Sequence, residues 1–476
     1  MLSPVADLRR HAAQTPDAIA IAGPYRVLTF AQLWQATTSI ALRLQRAGVR
    51  PGDVVGVDLP TALEWVVDLA LFRLAVRSVS LRGVRNPQAL TLNALISEPG
   101  VRAARAPLVL EADEEWLVTG TGETGDTVHF DFDGPDAVFR YIFTSGTTGE
   151  PSAAAYSVGA FEYRLAEGHL HWTDGRPELT MIGLSTTGGF HAAAACMRYG
   201  IAYLAIDSID PNTMRFAADR GIEVLCGSPT QVAHALQVMI SADITLDHLR
   251  EVRLAGAGPS ARLLTAIGER LGVAVRGVYG STEGGGISQL WITPETDRFD
   301  VGAALAGVEL QVVDSAGAPV GPNVEGAVRY RTPGLVEGHV QQSRVVPLPD
   351  GWFVPGDRGK LTEHGSLVLA GRESELFNLG GVKIDPTKVD ELAADFAGVR
   401  DAAAFSLERR PGIIEVGLAV VGGPECDLRA LDRHLRQELP VGHPTAYWRV
   451  EVIARSRLGK VMRAALADDF ERRPQA

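Results

Sequence analysis

Basic residues are few relative to acidic ones in this chain of 476 residues, with 45 lysines and arginines against 57 aspartates and glutamates and a net charge of -12. A negative surface repels phosphate backbones and anionic lipids, so we expect neither nucleic acid nor a membrane surface as the main partner. Cysteine is scarcer still, because Cys196, Cys226 and Cys426 are the only three. They lie far apart and are odd in number. This excludes a disulfide framework or a metal-ligand motif and predicts small buried thiols in a reducing cytoplasm.

Long apolar segments are also missing. An uncharged stretch runs from residue 179 to 197, but it contains Ser185, Thr186 and His191, so it does not predict a membrane span. The first four residues, MLSP, lack the basic-then-apolar pattern of a secretory leader. We therefore expect no signal peptide and a cytoplasmic protein.

Predicted strands and helices alternate along most of the chain. Residues 5–22 predict a helix and then a short strand, 31–47 a helix, 54–59 a buried strand, 62–75 a helix, 201–206 a strand and 215–220 a helix. Between 181 and 290, three predicted strands end in glycine-rich loops, where an α/β sheet usually binds its ligands. Residues 308–370 predict a β-rich subdomain. The sequence thus predicts an α/β fold with a large N-terminal domain, 1–372, and a small α+β domain, 373–476.

Glycine and hydroxyl residues are concentrated after the predicted strand 137–143. The run consists of Thr144, Ser145, Gly146, Thr147, Thr148 and Gly149. Glycines free the backbone so that N–H groups converge on an anion, and hydroxyls add donors without fixed charge. No Gly-Lys-Ser/Thr follows, so this is not a P-loop of the Walker type. The run predicts a phosphate-binding loop, and a flexible linker is the alternative interpretation.

A second polar group follows the predicted strand 275–280, in the order Tyr279, Gly280, Ser281, Thr282 and Glu283. The aromatic ring can stack on a base, and an adjacent hydroxyl can donate to a phosphate oxygen. A carboxylate beside a triphosphate is unfavourable unless a cation lies between them, so Glu283 is a candidate Mg²⁺ ligand. A turn with a solvated glutamate is the alternative.

Two further loops fit a nucleotide. Asp357, in Pro-Gly-Asp, can accept hydrogen bonds from the vicinal hydroxyls of a ribose, although an aspartate in a β-turn is a common alternative. The small residues of Ala257, Gly258 and Pro259 would let a flat base lie against the backbone, and an ordinary strand-to-helix loop is equally compatible.

Taken together, these stretches resemble the adenylate-forming superfamily of acyl-CoA synthetases, adenylation domains of peptide synthetases, and luciferases. The resemblance extends to Arg372, fifteen residues after Asp357, and to the C-terminal Gly-Lys-x-x-Arg segment that contains Lys460. It implies ATP, or acyl-AMP, bound by the phosphate loop with Mg²⁺ on Glu283, adenine at Tyr279, and ribose at Asp357 and Arg372. It assigns catalytic roles to Lys460, Thr282 and Glu283. A lysine between substrate carboxylate and α-phosphate reduces the repulsion of two anions that must meet.

The resemblance also implies a C-terminal domain that swivels between two reactions. Ser374 occupies the hinge position, and Gly380 and Gly381 would flank the tunnel for CoA. The acyl pocket is assigned to Gly188, Gly189, Phe190, His191, Ser228, Gly284 and Gly285. Because so many of these positions are glycine, we expect a roomy pocket and a bulky acid, with loop flexibility as the alternative reason for the glycines.

The chain departs from the family pattern at its phosphate loop, which normally ends in Pro-Lys and here ends in Pro151-Ser152. Loss of one charge-assisted phosphate contact costs on the order of 1.5–3 kcal/mol. One hypothesis is weak adenylation, with the acyl-adenylate supplied by a companion ligase; the alternative is that neighbouring residues compensate. The hinge also has Ser374 in place of Asp or Lys, and Ser185-Thr186 replace an aromatic-His pair. No aspartate lies where peptide-synthetase domains bind an amino group, which argues against α-amino acids.

The sequence therefore predicts an acyl-CoA ligase that activates a carboxylic acid through acyl-AMP. The alternatives are a ligase that forms mainly the thioester, an enzyme that loads a carrier-protein pantetheine, and a non-catalytic protein that binds acyl-AMP or AMP. The presence of Lys460 argues against the last of these, since a pure binder needs no mobile lysine.

Overall fold

The structure is a computed structural model that describes residues 1–24, 26–82, 84, 89–101, 104–117, 129–144, 152–167, 174–293, 295–297, 299–341, 344–372, 376–379, 382–410, 413–440, 442–455 and 461–472, with backbone alone at 372, 378, 382–383, 409–410 and 413. Its helices are α1 (Ser3–Gln14), α2 (Phe30–Arg46), α3 (Thr61–Arg73), α4 (Val158–Glu167), α5 (Thr187–Tyr199), α6 (Pro211–Asp219), α7 (Pro229–Ser241), α8 (Ala261–Leu271), α9 (Pro386–Ala394), α10 (Leu428–Glu438) and α11 (Arg463–Glu471). Short 3₁₀ turns lie at Glu114–Leu117 and Pro349–Gly351.

The strands belong to five sheets. In chain order they are β1 (Ile19–Ala22), β2 (Val27–Thr29), β3 (Val54–Asp58), β4 (Arg77–Ser80), β5 (Ala94–Ser97), β6 (Leu108–Glu111), β7 (Val138–Thr144), β8 (Ser152–Ser157), β9 (Glu178–Thr180), β10 (Tyr203–Leu204), β11 (Val224–Gly227), β12 (Glu251–Ala255), β13 (Ala274–Ser281), β14 (Gly285–Ile292), β15 (Asp300–Ala304), β16 (Glu309–Val313), β17 (Gly326–Arg331), β18 (Gly338–Gln341), β19 (Arg344–Pro347), β20 (Asp357–Leu361), β21 (Ser366–Arg372), β22 (Phe377–Leu379), β23 (Val382–Ile384), β24 (Val399–Arg410), β25 (Ile413–Gly422) and β26 (Ala446–Arg449).

Two large mixed sheets dominate the fold. The eight-stranded sheet has the order β19-β18-β8-β7-β4-β3-β5-β6, and the ten-stranded sheet the order β16-β17-β20-β21-β15-β14-β13-β12-β11-β9. The strands from β3 to β7 pair in parallel, as do β9, β11, β12 and β13, whereas the remaining pairs of both sheets are antiparallel. Parallel strands joined through helices are typical of an α/β fold, so this prediction is confirmed.

The predicted β-rich segment contributes to both large sheets. Its strands β16, β17, β20 and β21 extend the ten-stranded sheet, while the hairpin β18–β19 pairs with β8 of the other sheet. The segment therefore connects the two sheets, pairing with β8 in one and with β15 in the other. Three smaller sheets, β10-β1-β2, β22-β23 and β24-β25-β26, complete the described strands.

The main core surrounds α3, whose residues are nearly all buried. A helix that is buried on every side packs between layers, and α3 contacts α1, α2, β3 and β4. Two hydrophobic clusters in the C-terminal part contain residues beyond 376 alone, centred on Phe405 and Leu418. That separation is what two domains would give, and the boundary at residue 372 stays a prediction.

Several predicted elements differ from the structure at their ends. The segment 5–22 forms a helix over Ser3–Gln14, and the strand predicted over 201–206 is reduced to Tyr203–Leu204. The helix predicted over 215–220 begins at Pro211 because the Asp210 side chain accepts a hydrogen bond from the Thr213 amide and caps it. The three cysteines are buried and unpaired, as predicted. Among the described residues, no helix has the length and apolar character needed to cross a bilayer.

Candidate active site

Tyr279 and Asp357 meet directly. The Tyr279 hydroxyl donates a hydrogen bond of 2.6 Å to Asp357 Oδ2, and the carboxylate is buried. Tyr279 ends the straight part of β13, just before a register shift, and its ring packs against Val312, Val328 and Leu367. The predicted base-stacking residue and the predicted ribose acceptor therefore share one site.

Asp357 also lies opposite Arg372. The two residues are paired across the antiparallel strands β20 and β21, at the first and last position respectively. The pairing explains why a spacing of fifteen residues suits two groups that act on one ligand. The side chain of Arg372 is outside the described part of the structure.

Ser281 organises the turn between β13 and β14. Its Oγ accepts hydrogen bonds from the amides of Glu283 and Gly284, at 3.0 and 3.1 Å, and lies 2.6 Å from the Tyr330 hydroxyl. A serine hydroxyl has one proton and two lone pairs, so these three contacts use its full capacity. Burial raises the pKa of Tyr330, which stays protonated. Ser281 thus shapes the turn, and Thr282 is the better candidate for a phosphate contact.

A buried arginine holds the backbone of the same turn. Arg164, on α4, donates from Nη1 to the Thr282 carbonyl at 3.4 Å, from Nη2 to the Glu283 carbonyl, and from Nε to the Gly334 carbonyl at 2.6 Å. The Glu283 carbonyl also accepts from the Val336 amide at 2.9 Å. The backbone that carries the candidate Mg²⁺ ligand is therefore fixed from two directions.

The Glu283 carboxylate faces His339 of β18. Oε1 lies 3.4 Å from His339 Nε2, and the other ring nitrogen, Nδ1, lies 3.0 Å from Ser152 Oγ. Ser152 is the first residue of β8, directly after the predicted phosphate loop, and its carbonyl accepts a 3.3 Å hydrogen bond from Thr144 Oγ1. These contacts bring together the two ends of the loop, which lie in the eight-stranded sheet, and the turn of the ten-stranded sheet.

A single buried carboxylate supplies few protein ligands for a metal ion. Among the residues that the structure describes, no cluster of three histidine, cysteine or acidic side chains could hold an ion. Mg²⁺ is usually bound by one or two carboxylates together with substrate phosphates and water. Glu283, 7% exposed at the turn after Thr282, fits that pattern.

Two predicted acyl-pocket residues, Phe190 and His191, are packed in the interior of the structure. Phe190 is fully buried among Trp65, Phe72, Phe139 and Phe161 in the main core. His191 is buried behind it and is hydrogen-bonded to the Tyr156 hydroxyl. Burial, and secondly the Arg164 charge, lower the pKa of His191, which stays neutral.

At Gly189 and Gly284, protein atoms occupy the space that was expected to be open for the acid. A Cβ on Gly189 would lie 2.2 Å from the carbonyl oxygen of Ile182, and one on Gly284 would lie 2.4 Å from the Tyr330 ring. The absent side chains therefore leave room for protein atoms. At Gly285, with φ of +76°, the corresponding space faces Arg164 at 3.2 Å. Ser228, also assigned to the pocket, caps α7 by accepting from the Gln231 amide.

The loop Ala257-Gly258-Pro259 follows β12, with Ala257 and Gly258 exposed, and remains compatible with a base against its backbone. Several predicted residues lie outside the described part of the chain: Ser145, Gly146, Thr147, Thr148, Gly149, Ser374, Gly380, Gly381 and Lys460. The segment that follows Lys460 is described. In it, Arg463 makes a double hydrogen bond to Asp390 at 3.1 and 2.6 Å and a third to the Ala404 carbonyl at 2.7 Å.

Arg164, Tyr330 and His339 were not predicted from the sequence as parts of the site. None of them belongs to a recognisable motif, and each reaches the site from a distant segment. The burial of Arg164 gave no local signal, because its helix has an ordinary amphipathic pattern.

The model of the family described as AMP-binding enzyme matches residues 8–340. The chain is 30% identical over 366 residues to the fatty acid–acyl-carrier-protein ligase of Mycobacterium marinum, covering 70% of this chain and 68% of that protein. It is 27% identical over 516 residues to a methyl-dioxo-octahydroindenyl-propanoyl:CoA ligase of Mycobacterium tuberculosis, with 97% and 98% covered.

The fold agrees with these matches. The structure of o-succinylbenzoate CoA synthetase from Bacillus subtilis, in complex with its acyl-adenylate intermediate, aligns with a TM-score of 0.82 over 97% of each chain at 20% identity. The chain belongs to the AMP-binding enzyme family, that is, to the adenylate-forming enzymes.

Proposed function

We propose that this protein is an acid–thiol ligase. It converts a carboxylic acid and ATP into acyl-AMP and pyrophosphate, and then transfers the acyl group to a thiol, with CoA as the principal acceptor. The observation that carries the proposal is the hydrogen bond between Tyr279 and Asp357 beside the turn that holds Glu283. A nucleotide consists of a base, a ribose and a phosphate chain, in that order. Tyr279, Asp357 and Glu283 suit these three parts in the same order.

The nucleoside end of the site is preorganised. The Tyr279 hydroxyl fixes one oxygen of Asp357, which leaves the carboxylate oriented to accept from ribose hydroxyls. The Tyr279 ring is packed on neighbouring strands, so it loses little freedom when adenine stacks on it. Arg372, opposite Asp357, is the second ribose contact that the family resemblance implies.

The phosphate end combines Thr282 with the loop from Thr144 to Gly149. Glu283 would hold Mg²⁺, which supplies positive charge against the triphosphate when it is bound. The Thr282 hydroxyl donates to an α-phosphate oxygen in this proposal. The main-chain carbonyls of both residues accept hydrogen bonds from Arg164, which holds their backbone in place.

The reaction has two displacements. A carboxylate oxygen of the acid attacks the α-phosphorus, the bond to the β-phosphate oxygen breaks, and pyrophosphate leaves. Lys460 neutralises the two anions as they approach. The thiol sulfur then attacks the acyl carbon, loses its proton, and AMP leaves with the electron pair of the mixed-anhydride bond.

The acid and the acceptor are the finer parts of the proposal. The relative from M. marinum is named for a carrier-protein acceptor, and the relative from M. tuberculosis for CoA and a bicyclic acid. The second name supports a bulky acid, which the glycines at 189 and 284 do not. We retain CoA as the acceptor, and a comparison of CoA with a holo carrier protein tests it.

The thioester-only ligase is the second candidate. Its basis is Ser152 at the position where the family pattern has a lysine, and a companion ligase would then supply the adenylate. Pyrophosphate release from ATP, measured over a panel of acids, separates the two. The first proposal predicts release that depends on both acid and ATP.

The variant Lys460→Ala separates the adenylation step from the thioester step. It should abolish acid-dependent pyrophosphate release while the variant still converts supplied acyl-AMP and CoA into thioester. Lys388→Ala, an exposed lysine on α9, is the matched control and should behave as wild type. Thioester formation from acyl-AMP without any pyrophosphate release by the wild type would favour the second candidate. Absence of both reactions would favour a non-catalytic protein that binds acyl-AMP or AMP.

A further inference from the structure

His339 lies between the predicted phosphate loop and the candidate Mg²⁺ ligand. Its Nδ1 is 3.0 Å from Ser152 Oγ, and its Nε2 is 3.4 Å from Glu283 Oε1. The ring is also stacked on Phe353, with the two planes inclined by 27°. The imidazole is thus restrained on one edge and one face, and its other edge faces the carboxylate.

The contact with Glu283 determines which nitrogen carries the proton. A carboxylate only accepts hydrogen bonds, so a favourable contact requires N–H at Nε2. Nδ1 of a neutral ring is then an acceptor, and the Ser152 hydroxyl donates a hydrogen bond to it. With this arrangement the Nε2–H group lies opposite the Glu283 carboxylate, in a polar contact of 3.4 Å.

Glu283 needs such a restraint because its backbone alone does not orient it. The amide bonds to Ser281, and the carbonyl accepts from Arg164 and Val336, so the main chain is fixed. Three side-chain torsions remain free. A carboxylate that is 7% exposed must still point in one direction to meet a metal ion bound to a nucleotide.

We propose that His339 is a positioning residue for magnesium-nucleotide binding, acting through Glu283 and held by Ser152. Partners in the outer shell of a metal site commonly orient the ligand in this manner. Because Ser152 begins β8, the same contact makes the direction of the carboxylate depend on the position of that strand. The inference rests on the proposed function, since it assumes that Glu283 faces a magnesium-bound triphosphate.

Calorimetric titration tests this without turnover. His339→Ala should raise the Kd of ATP in the presence of Mg²⁺ by about tenfold to a hundredfold, the usual effect of losing an outer-shell partner. The Kd of AMP should change less than about twofold, because AMP has no β- or γ-phosphate to share a metal ion. His339→Gln, whose amide can donate at a similar reach, should restore most of the affinity, and Ser152→Ala should show a smaller loss in the same direction.

A double-mutant cycle with Glu283→Gln identifies the route of the effect. If His339 acts through Glu283, His339→Ala should add less than about twofold to the Kd of Mg-ATP in that background. An equal loss of AMP and Mg-ATP affinity, or an undiminished effect beside Glu283→Gln, would overturn the proposal. If the wild type binds neither AMP nor Mg-ATP, the proposed function fails. If the wild type binds both and His339→Ala binds Mg-ATP normally, the role of His339 alone is refuted.

Discussion

Tyr279 Oη donates a hydrogen bond to Asp357 Oδ2 even though three strands, β14, β15 and β21, separate their own strands in the sheet order. Four strand spacings on a flat sheet amount to roughly 19 Å, far beyond the reach of a tyrosine. The ten-stranded sheet must therefore curl so that β20 passes over the end of β13. The curl brings two strands from distant parts of the chain together at the candidate nucleoside site.

Tyr279→Phe should weaken AMP binding by about threefold to tenfold. The variant keeps the ring for stacking but loses the bond that orients Asp357, and a single hydrogen bond contributes about 0.5–1.5 kcal/mol. The Kd of AMP, from calorimetry, is the measurement. Tyr447→Phe is a matched control, because the Tyr447 hydroxyl makes a similar 3.0 Å bond to Asp432 outside this site. Equal affinities for Tyr279→Phe and wild type would show that Asp357 is oriented independently.

Local pattern singled out Tyr279 and Asp357 as candidates, since each lies beside a glycine, near the end of β13 or at the start of β20. It also predicted the α/β alternation, because parallel strands joined by helices give a regular hydrophobic rhythm. It did not predict Arg164 or His339. Both residues contact Glu283, from which they are separated by 119 and 56 positions in the sequence. Such contacts depend on how the two sheets meet, and nothing in the neighbouring sequence encodes that.

At the glycines, by contrast, the sequence suggested a feature that the structure does not show. A glycine in sequence is compatible with open space, positive φ or close packing, and these alternatives cannot be separated without the neighbours. At Gly284 the neighbour is the Tyr330 ring, which comes from β17. The expectation of a wide pocket therefore assumed open space that, at this position, the Tyr330 ring occupies.

Arg164→Met should lower the free energy of unfolding by about 1–3 kcal/mol. The change removes the buried donor to the Gly334 carbonyl, and an unsatisfied buried group costs about that much. The Thr282 and Glu283 carbonyls lose the same donor but keep hydrogen bonds from Thr187 Oγ1 and the Val336 amide. Urea unfolding measures the effect. Arg331→Met is the control, because Arg331 pairs with Glu309 at an exposed position and its loss should cost less than about 1 kcal/mol. Similar losses for both variants would contradict the structural role of Arg164.

The Asp390–Arg463 pair should make stability depend on pH. Burial raises the pKa of Asp390 to about 6, although Arg463 acts to lower it. An unfolded aspartate has a pKa of about 3.9, so between these values the native state holds the extra proton. Stability is then greatest below about pH 4 and falls as the pH rises towards 6, by up to about 3 kcal/mol from this group.

Asp390→Asn removes that titration. The free energy of unfolding of the wild type, measured from pH 4 to 7, should fall relative to that of Asp390→Asn across this window. Asp469→Asn, an exposed aspartate on α11, should leave the slope unchanged. Parallel pH profiles for wild type and Asp390→Asn would mean that Asp390 is ionised throughout. The same pair holds the first residue of α11 against Asp390.

Gly189→Ala and Gly268→Ala should have opposite effects on stability. Both glycines lie within helices, α5 and α8, but a Cβ at 189 would be 2.2 and 2.3 Å from the carbonyl oxygens of Ile182 and Gly183, whereas at 268 it meets nothing within 4 Å. Overpacking of this kind costs about 1–3 kcal/mol, while alanine in an exposed helix interior gains about 0.5–1 kcal/mol over glycine. Thermal unfolding of the two variants measures the contrast. If Gly189 instead widened an acyl pocket, its alanine variant would keep wild-type stability and change the preferred size of the acid. A stable Gly189→Ala with altered acid preference would therefore restore the pocket interpretation that the backbone contacts now oppose.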